Sequence, residues 1–486
     1  MDRVHPVLAV LARVMAGFSV AFLVPLAWAA GMDQPLQTQV WAGAMAVTLV
    51  SSVLLRQFTR ESRRELMPKD GFLLVSLVWL VLPAYSALPL MFTVPGITWT
   101  SAYFEAMSAL TATGATALVG LDNLPVSVNV WRCFLQYIGG LGIILLVVAV
   151  LPMLGLGGFQ LYRAETPGPL KDTKLTPRIE ETARGLWTVY FALSLVCLLG
   201  YRLAGMDWAD AFMHMCTTMG LGGFSSHDAS FGHWNSPAIE AVAIVFMALA
   251  GINFARYFVV WRNRSVAILW RDSEVRVYFA VLAGSVILVS VLLVVHGTYD
   301  SYPEALRAAA FQVVSLATTT GYASTDYTLW PVFAPVLLIF LGCFVSCAGS
   351  TGGGIKMVRM LLLIKQARRE LVRIIHPRVI NPVTLGRTSV PPSVLSAVLA
   401  FMLIYGASIV GLSMLMLLSG MDLITGISAV VVCLNNIGPG LGLVGPANNF
   451  SGLTDFQLWI CTFAMLLGRL ELLSVMVLFT AQFWRR

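Results

Sequence analysis

Apolar residues run through this chain in blocks of helical length, and polar residues collect between them. Two blocks open the sequence, near residues 8–30 and 38–56. Others lie near 71–93, 129–152, 183–204, 237–260, 393–419 and 456–483, with a further pair between about 277 and 372. About 20 apolar residues cross a hydrocarbon core, so each block predicts a transmembrane helix. Between paired blocks sits a shorter apolar stretch, such as 98–112. About 10–12 helical residues reach only ~15–18 Å, which is half a bilayer. Each short stretch starts on helix-initiating chemistry: Thr98 and Thr100, Asp207, Ser301 with Pro303, and Asp422. A re-entrant helix is predicted, its carbonyl end aimed at the bilayer centre and favouring a cation there.

Each short helix runs into a glycine among small or polar residues. The copies read TATGAT around Gly114, MGLGGFSS around Gly222, ATTTGYAS around Gly321 and NNIGPG around Gly438, separated by 108, 99 and 117 residues. That period marks an internal repeat. Every link between repeats is basic and an even number of crossings joins them, so the repeats are parallel. The predicted fold is an all-α polytopic membrane protein: two N-terminal transmembrane helices, then four parallel helix–pore loop–helix repeats around a pseudo-fourfold pore. The boundaries fall at residues 1–69, 70–181, 182–275, 276–389 and 390–486. Non-helical backbone survives at membrane depth only where it is buried or lines a wet cavity, and glycine permits both the turn and the close approach. Carbonyls just before each glycine can replace the water shell of a monovalent cation. The candidate donors are Ala112, Thr113, Gly220, Leu221, Thr319, Thr320, Asn436 and Ile437, with Gly114, Gly222, Gly321 and Gly438 themselves.

Composition strengthens the membrane reading. Of 486 residues, 58% are hydrophobic and 11% charged, against roughly 25% charged in soluble domains. The net charge of +7 is dispersed over loops rather than gathered in a nucleic-acid patch. The basic loops carry Arg56, Arg60, Arg63, Arg64 and Lys69; Arg163, Lys171, Lys174 and Arg178; Arg262, Arg264, Arg271 and Arg276; and Arg368, Arg369, Arg373, Arg378 and Arg387. The positive-inside rule places these loops, and both termini, in the cytoplasm. Loops within repeats are acidic (Asp122, Asp207, Asp228, Asp300, Asp326, Asp422 and Asp455, against Arg132, Arg202 and Arg307) and are expected to face outward. Seven scattered cysteines form no CxxC pair, which supports neither a disulfide framework nor a zinc site. His214, His227 and His233 lack metal-ligand spacing and read as mouth decoration or helix packing. No HExxH, GxSxG or aspartate pair within a span suggests an enzyme.

Two features break the pattern. The block from about Pro335 to Arg373 is too long for one helix, and Gly349, Ser350, Thr351, Gly352, Gly353 and Gly354 interrupt it. Three consecutive glycines cost about 1 kcal/mol each in a helix, so a break is predicted just inside the glycine segments. Arg469 sits mid-way along the last block. A guanidinium at that depth costs about 2.5–3.5 kcal/mol and needs partners. Glu471, two positions on, points to another face of a helix. Carbonyl oxygens of the glycine-rich loop are the better partners.

The stretches TATGAT, GGFSSHDAS, TTTGY with STDY, and CLNNIGPGLG are joined by QYIGGLGIILLVVAVLPMLGLGG, LYRAETPGPLKD, GCFVSCAGSTGGGIK and GRLELLSVMVLFT. Together they resemble the Trk/Ktr/HKT potassium transporter superfamily, specifically its bacterial TrkH-type subunits, in collinear order over nearly the whole chain. The resemblance implies channel-like potassium uptake across the inner membrane, with the potassium ion as substrate and no organic cofactor. It also implies a homodimer and a cytosolic ring of nucleotide-binding (TrkA-type) regulatory subunits. It gives residues 349–354 the role of an intramembrane gating loop paired with Arg469. Leu221 departs from the family, standing where many relatives carry threonine. Sodium- or proton-coupled potassium symport is the alternative reading.

Overall fold

The computed structural model describes residues 4–60, 67–145, 175–386 and 388–485. Arg63, Arg64, Arg163, Lys171, Lys174, Arg387 and Arg486, and the LYRAETPGPLKD motif, lie outside the described residues.

The N-terminal pair forms as its apolar pattern requires. Helices α1 (Val4–Ser19) and α2 (Leu23–Gly31) make one 28-residue span, and α3 (Pro35–Phe58) packs back along it. Repeat one then contains α4 (Pro68–Thr93), the short α5 (Trp99–Leu110) and α6 (Val126–Leu145). Repeat two contains α7 (Leu175–Ala204), α8 (Trp208–Gly220), α9 (Pro237–Ala250) and α10 (Phe254–Asn263). Repeat three has α11 (Ser273–Val295), α12 (Tyr302–Ala317), α13 (Phe333–Phe344) and α14 (Met357–Ile375). A two-stranded hairpin, β1 (Thr384–Leu385) with β2 (Thr388–Ser389), leads into repeat four. That repeat holds α15 (Pro392–Leu418), α16 (Leu423–Leu434), α17 (Asp455–Arg469) and the five-residue α18 (Leu472–Met476). Among the described residues, six helices are long and apolar enough to cross a membrane, or up to eight counting two bent pairs as spans. The fold is that of a polytopic all-α membrane protein, with four helix–loop–helix repeats following two N-terminal spans.

The second span departs from a continuous helix in repeats two and four as well as in repeat three. α9 and α10 meet at 88°, and α17 bends by 111° into the helix after it. Asn253 begins α10 by accepting the Ala255 amide at 2.9 Å, an N-cap that favours a new helix over continuation of the old one. In the last span, Glu471 adopts φ +55°, outside the helical region. Arg469 therefore sits at the C-terminus of α17, not at the middle of a continuous span.

The four short helices α5, α8, α12 and α16 stand where the half-length stretches predicted them, α12 running to 16 residues. Thr98, Asp207 and Asp422 each accept an amide of the first turn, from Ser101, Asp210 and Thr425, and Pro303 occupies the first turn of α12. From Ala102 to Leu110, α5 is buried on all sides, as a helix in a bundle centre must be.

Burial also takes in Arg132 and Glu105, which the sequence placed, respectively, in an outer loop and on an apolar helix. Arg132 Nε donates to Glu105 Oε1 at 2.7 Å, with both side chains buried. The same carboxylate accepts the Thr116 hydroxyl at 3.0 Å and the Ala117 amide at 2.9 Å. Arg132 also reaches Asn129 Oδ1 at 3.0 Å and stacks 4.3 Å above the Phe224 ring. Removing one partner strands a buried charge, which costs about 3–5 kcal/mol. Arg132→Met should lower unfolding stability in detergent by that amount; a denaturation midpoint equal to that of the unsubstituted chain would refute it.

Candidate functional site

The chain leaves each short helix in the same way. Ala112, Leu221, Thr319 and Asn436 all take left-handed φ between +50° and +63°. The next amide, on Thr113, Gly222, Thr320 or Ile437, donates back to Ser108, Thr217, Ser315 or Val432 at 2.8–2.9 Å. A glycine of φ +77° to +100° then follows: Gly114, Gly223, Gly321 and Gly438.

This pattern corrects the register of the second segment by one residue. The matching glycine is Gly223, not Gly222, and Gly220 is still the last residue of α8. Leu221 accordingly matches Ala112, Thr319 and Asn436, and Gly222 is the residue immediately before the matching glycine. Gly223 also joins Gly114, Gly321 and Gly438 in lining one cavity at the mouth.

The four segments close into a ring. A Cβ on Gly114 would overlap the carbonyl oxygen of Gly222, one on Gly223 that of Thr320, and one on Gly321 that of Ile437. A Cβ on Gly438 would lie 2.7 Å from Thr113 O, which completes the circuit. Four glycines therefore allow four carbonyl-bearing backbones to abut, in the order of the repeats.

A second tier of bonds closes the mouth in the same order. Asp228 accepts the Leu121 amide at 3.0 Å, and Phe231 N donates to Ala323 O at 3.0 Å. The Tyr327 hydroxyl donates to Gly440 O at 3.1 Å, and Phe450 N donates to Thr116 O at 2.8 Å.

The corrected register exposes supports that the sequence reading missed. Glu105, His214 and Gln312 each lie nine positions before their glycine and are buried on a short helix. Each ties that helix to the chain climbing away from its glycine. Glu105 holds Thr116 and Ala117, His214 Nε2 meets Ser225 Oγ at 3.0 Å, and Gln312 reaches Thr325 O at 3.2 Å. Gln136 on α6 donates to Gly222 O at 2.8 Å and accepts the Phe224 amide at 3.1 Å. The equal spacing is the signal that reveals the three helical supports, and it appears only when the second glycine is aligned correctly.

Residues 345–356, between α13 and α14, contain the glycine-rich run and lie under the ring. Thr351 Oγ1 donates to Met219 O at 3.0 Å, and the Gly353 amide donates to Thr319 Oγ1 at 2.8 Å. Gly353 packs so closely on Asn435 O that a Cβ would overlap it, and a Cβ on Gly352 would meet Thr318 O at 2.9 Å. The Gly349 carbonyl accepts from Phe254 N at 3.1 Å, and Ser350 Oγ donates to Cys347 O at 2.7 Å. Gly349 and Gly354 both take positive φ. Arg469 donates from one terminal nitrogen to Thr351 O and from the other to Gly139 O, each at 2.8 Å. Lys356, which is not among the gate residues read from the sequence, donates its ammonium to Gly352 O. Two cationic groups thus hold a loop that touches segments two, three and four, with Arg469 linking it to repeat one.

At the mouth, His227 lies between two carboxylates. Its Nδ1 bonds Asp122 Oδ1, and its Nε2 is 3.3 Å from Asp210 Oδ2. Partial burial by itself lowers the imidazole pKa, but hydrogen bonds and charge from Asp210 and Asp122 outweigh it and the net direction is up.

A family model described as cation transport protein, TrkH, matches residues 36–486. The Trk system potassium uptake protein TrkH of Salmonella typhimurium is 44% identical, covering 90% of this chain and 91% of the relative. The protein of the same name from Halomonas elongata is 42% identical over 99% of both chains. The crystal structure of the potassium transporter TrkH from Vibrio parahaemolyticus is similar at a TM-score of 0.91 and 38% identity, covering 99% of each chain.

The register predicts unequal effects of two adjacent substitutions. A Cβ on Gly223 meets the main chain of Thr320 at a positive φ, whereas the nearest atoms to one on Gly222 belong to the Gln136 side chain. Strain of that kind costs about 1–3 kcal/mol. Gly223→Ala should reduce cation flux in proteoliposomes at least ~10-fold, with Gly222→Ala much milder. The reverse ranking would restore the original register.

Proposed function

The chain belongs to the TrkH family of cation transport proteins, and on that premise we propose that it carries potassium through the ring of glycine segments. The supporting observation is the closed contact of Gly114, Gly223, Gly321 and Gly438 with carbonyls of the neighbouring segments. Main-chain oxygens of Ala112, Thr113, Leu221, Gly222, Thr319, Thr320, Asn436 and Ile437, with the four glycines, replace water around a dehydrated ion. Gly220 drops out of the set. Helices α5, α8, α12 and α16 point their carbonyl ends toward the ion path, which favours positive charge there.

Residues 349–354 act as the gate. The loop lies across the path below the ring, and Arg469 and Lys356 add positive charge where an ion would leave. Opening requires the loop to release Met219 O, Thr319 Oγ1 and Arg469.

The protein sits in the bacterial inner membrane with both termini in the cytoplasm, since the loops between repeats are basic. It works as a homodimer under a nucleotide-binding cytosolic subunit, a reading supported by relatives named as parts of a Trk system. Transport through the ring is read as channel-like.

Arg469→Ala, and separately deletion of Gly352 and Gly353, should each raise potassium flux several-fold in liposomes carrying a potassium gradient alone. Unchanged flux in both would remove the gate. An absolute requirement for a sodium or proton gradient would move the protein to the symporter class.

A further inference from the structure

The mouth carries a group of side chains that the potassium path does not use. Asp122 comes from the loop after segment one, and His227 and His233 come from the loop after segment two. One ligand atom from each lies within 4.8 Å of the others. The two imidazoles stack with centroids 3.6 Å apart and ring planes 7° from parallel. Trp234 packs edge-on against both, at 4.9 and 5.0 Å, so the pair has an apolar floor.

We infer that Asp122, His227 and His233 form a binding site for a borderline divalent transition-metal ion of the zinc type, and that occupancy slows potassium entry. The inference rests on the proposed reading of this face as the outer mouth of a potassium pore. Two imidazole nitrogens and one carboxylate oxygen suit zinc with a fourth position left for water. Magnesium and calcium prefer oxygen donors alone. A second feature points the same way. The far nitrogen of His227 faces the Asp210 carboxylate, the arrangement that fixes the tautomer and orientation of a metal-binding imidazole. Asp210 is itself held by the Ser226 hydroxyl at 2.7 Å, so that support is anchored on α8. His233 is exposed, so its ring is free to turn out of the parallel stack and bring its nitrogen to the ~3.3 Å ligand separation of a tetrahedral site with ~2 Å bonds.

Location gives the site its consequence. His227 and Asp228 line the same cavity as Gly114, Gly223, Gly321 and Gly438. A bound dication there lies within about one screening length, ~8 Å at physiological salt, of the cavity that ions must enter. It replaces a mouth that attracts cations with one that repels them.

The test uses the full chain in detergent for calorimetry and in liposomes for potassium uptake, with zinc chloride added on the mouth side and magnesium chloride as the control. The expected result is one zinc per chain, no response to magnesium, and at least ~5-fold slower uptake at saturation. His233→Ala should keep zinc-free uptake but lose at least ~10-fold in zinc affinity, and His233→Cys should retain the site because thiolate is also a zinc ligand. Equal zinc binding by the unsubstituted chain and His233→Ala would overturn the site, as would no binding by either. Zinc that binds without changing uptake would overturn the regulatory half. Absence of uptake before any zinc is added would count against the potassium reading alone, since calorimetry still reports on the metal.

Discussion

The structure depends on the abutment of each segment's glycine Cα against a carbonyl oxygen of its neighbour. Carbonyl groups in the middle of a bilayer have no water to turn to, and four stretches of irregular backbone there are stable only if they enclose one another. The circuit from Gly114 to Gly222, Gly223 to Thr320, Gly321 to Ile437 and Gly438 to Thr113 does this without help from side-chain bulk. Because a single methyl would force two segments apart, the contact sets the radius of the ring. The rest of the fold holds the segments at that radius. The capped short helices fix where each segment begins, and the buried polar side chains nine residues before the glycines fix where it goes next. The closing bonds at the mouth, from Asp228 to Leu121 around to Phe450 and Thr116, keep the climbing strands from splaying.

Much of this was legible in the one-dimensional sequence, for physical reasons. Half-length apolar stretches with Thr98, Asp207 and Asp422 at their starts admit few structures other than re-entrant helices, and the glycine after each marks the turn. The register of the second segment was not legible. MGLGGFSS offers three glycines in four positions, and the correct choice needs a left-handed Leu221, a conformation that leucine rarely adopts. Only the backbone bonds returning from residues 113, 222, 320 and 437 decide it. The breaks at Asn253 and Glu471 were hidden for a similar reason, since neither has the run of glycines that announces residues 349–354. The mouth cluster was invisible to spacing, because Asp122 and His227 belong to different repeats and meet only when the ring closes.

The ring is close to fourfold, but the contacts beneath it are not. A single loop, supplied by repeat three, touches Met219, Thr319 and Asn435, while one arginine from repeat four ties it to Gly139. Each neutral hydrogen bond contributes about 0.5–1.5 kcal/mol net, and those made by a charged group about 1.5–3. The loop is held by such bonds together with the close packing of Gly352 on Thr318 O and of Gly353 on Asn435 O.

Arg469 is a buried cation that ties residues 349–354 to repeat one. Among the described residues, its hydrogen bonds go to two main-chain oxygens, and its Nε finds no partner. The nearest carboxylate in sequence, Glu471, is carried elsewhere by the left-handed turn that ends α17. It meets Arg359 at 2.7 Å, and that guanidinium also lies over the Phe401 ring at 4.3 Å. The break puts its guanidinium at a helix end, and the engagement of Glu471 with Arg359 leaves the charge unneutralised by that neighbour. Lys356 adds a second positive group against the same loop. Arg469 and Lys356 thus hold main-chain oxygens of the same glycine-rich run, one from the end of α17 and one from the residues that follow the run itself.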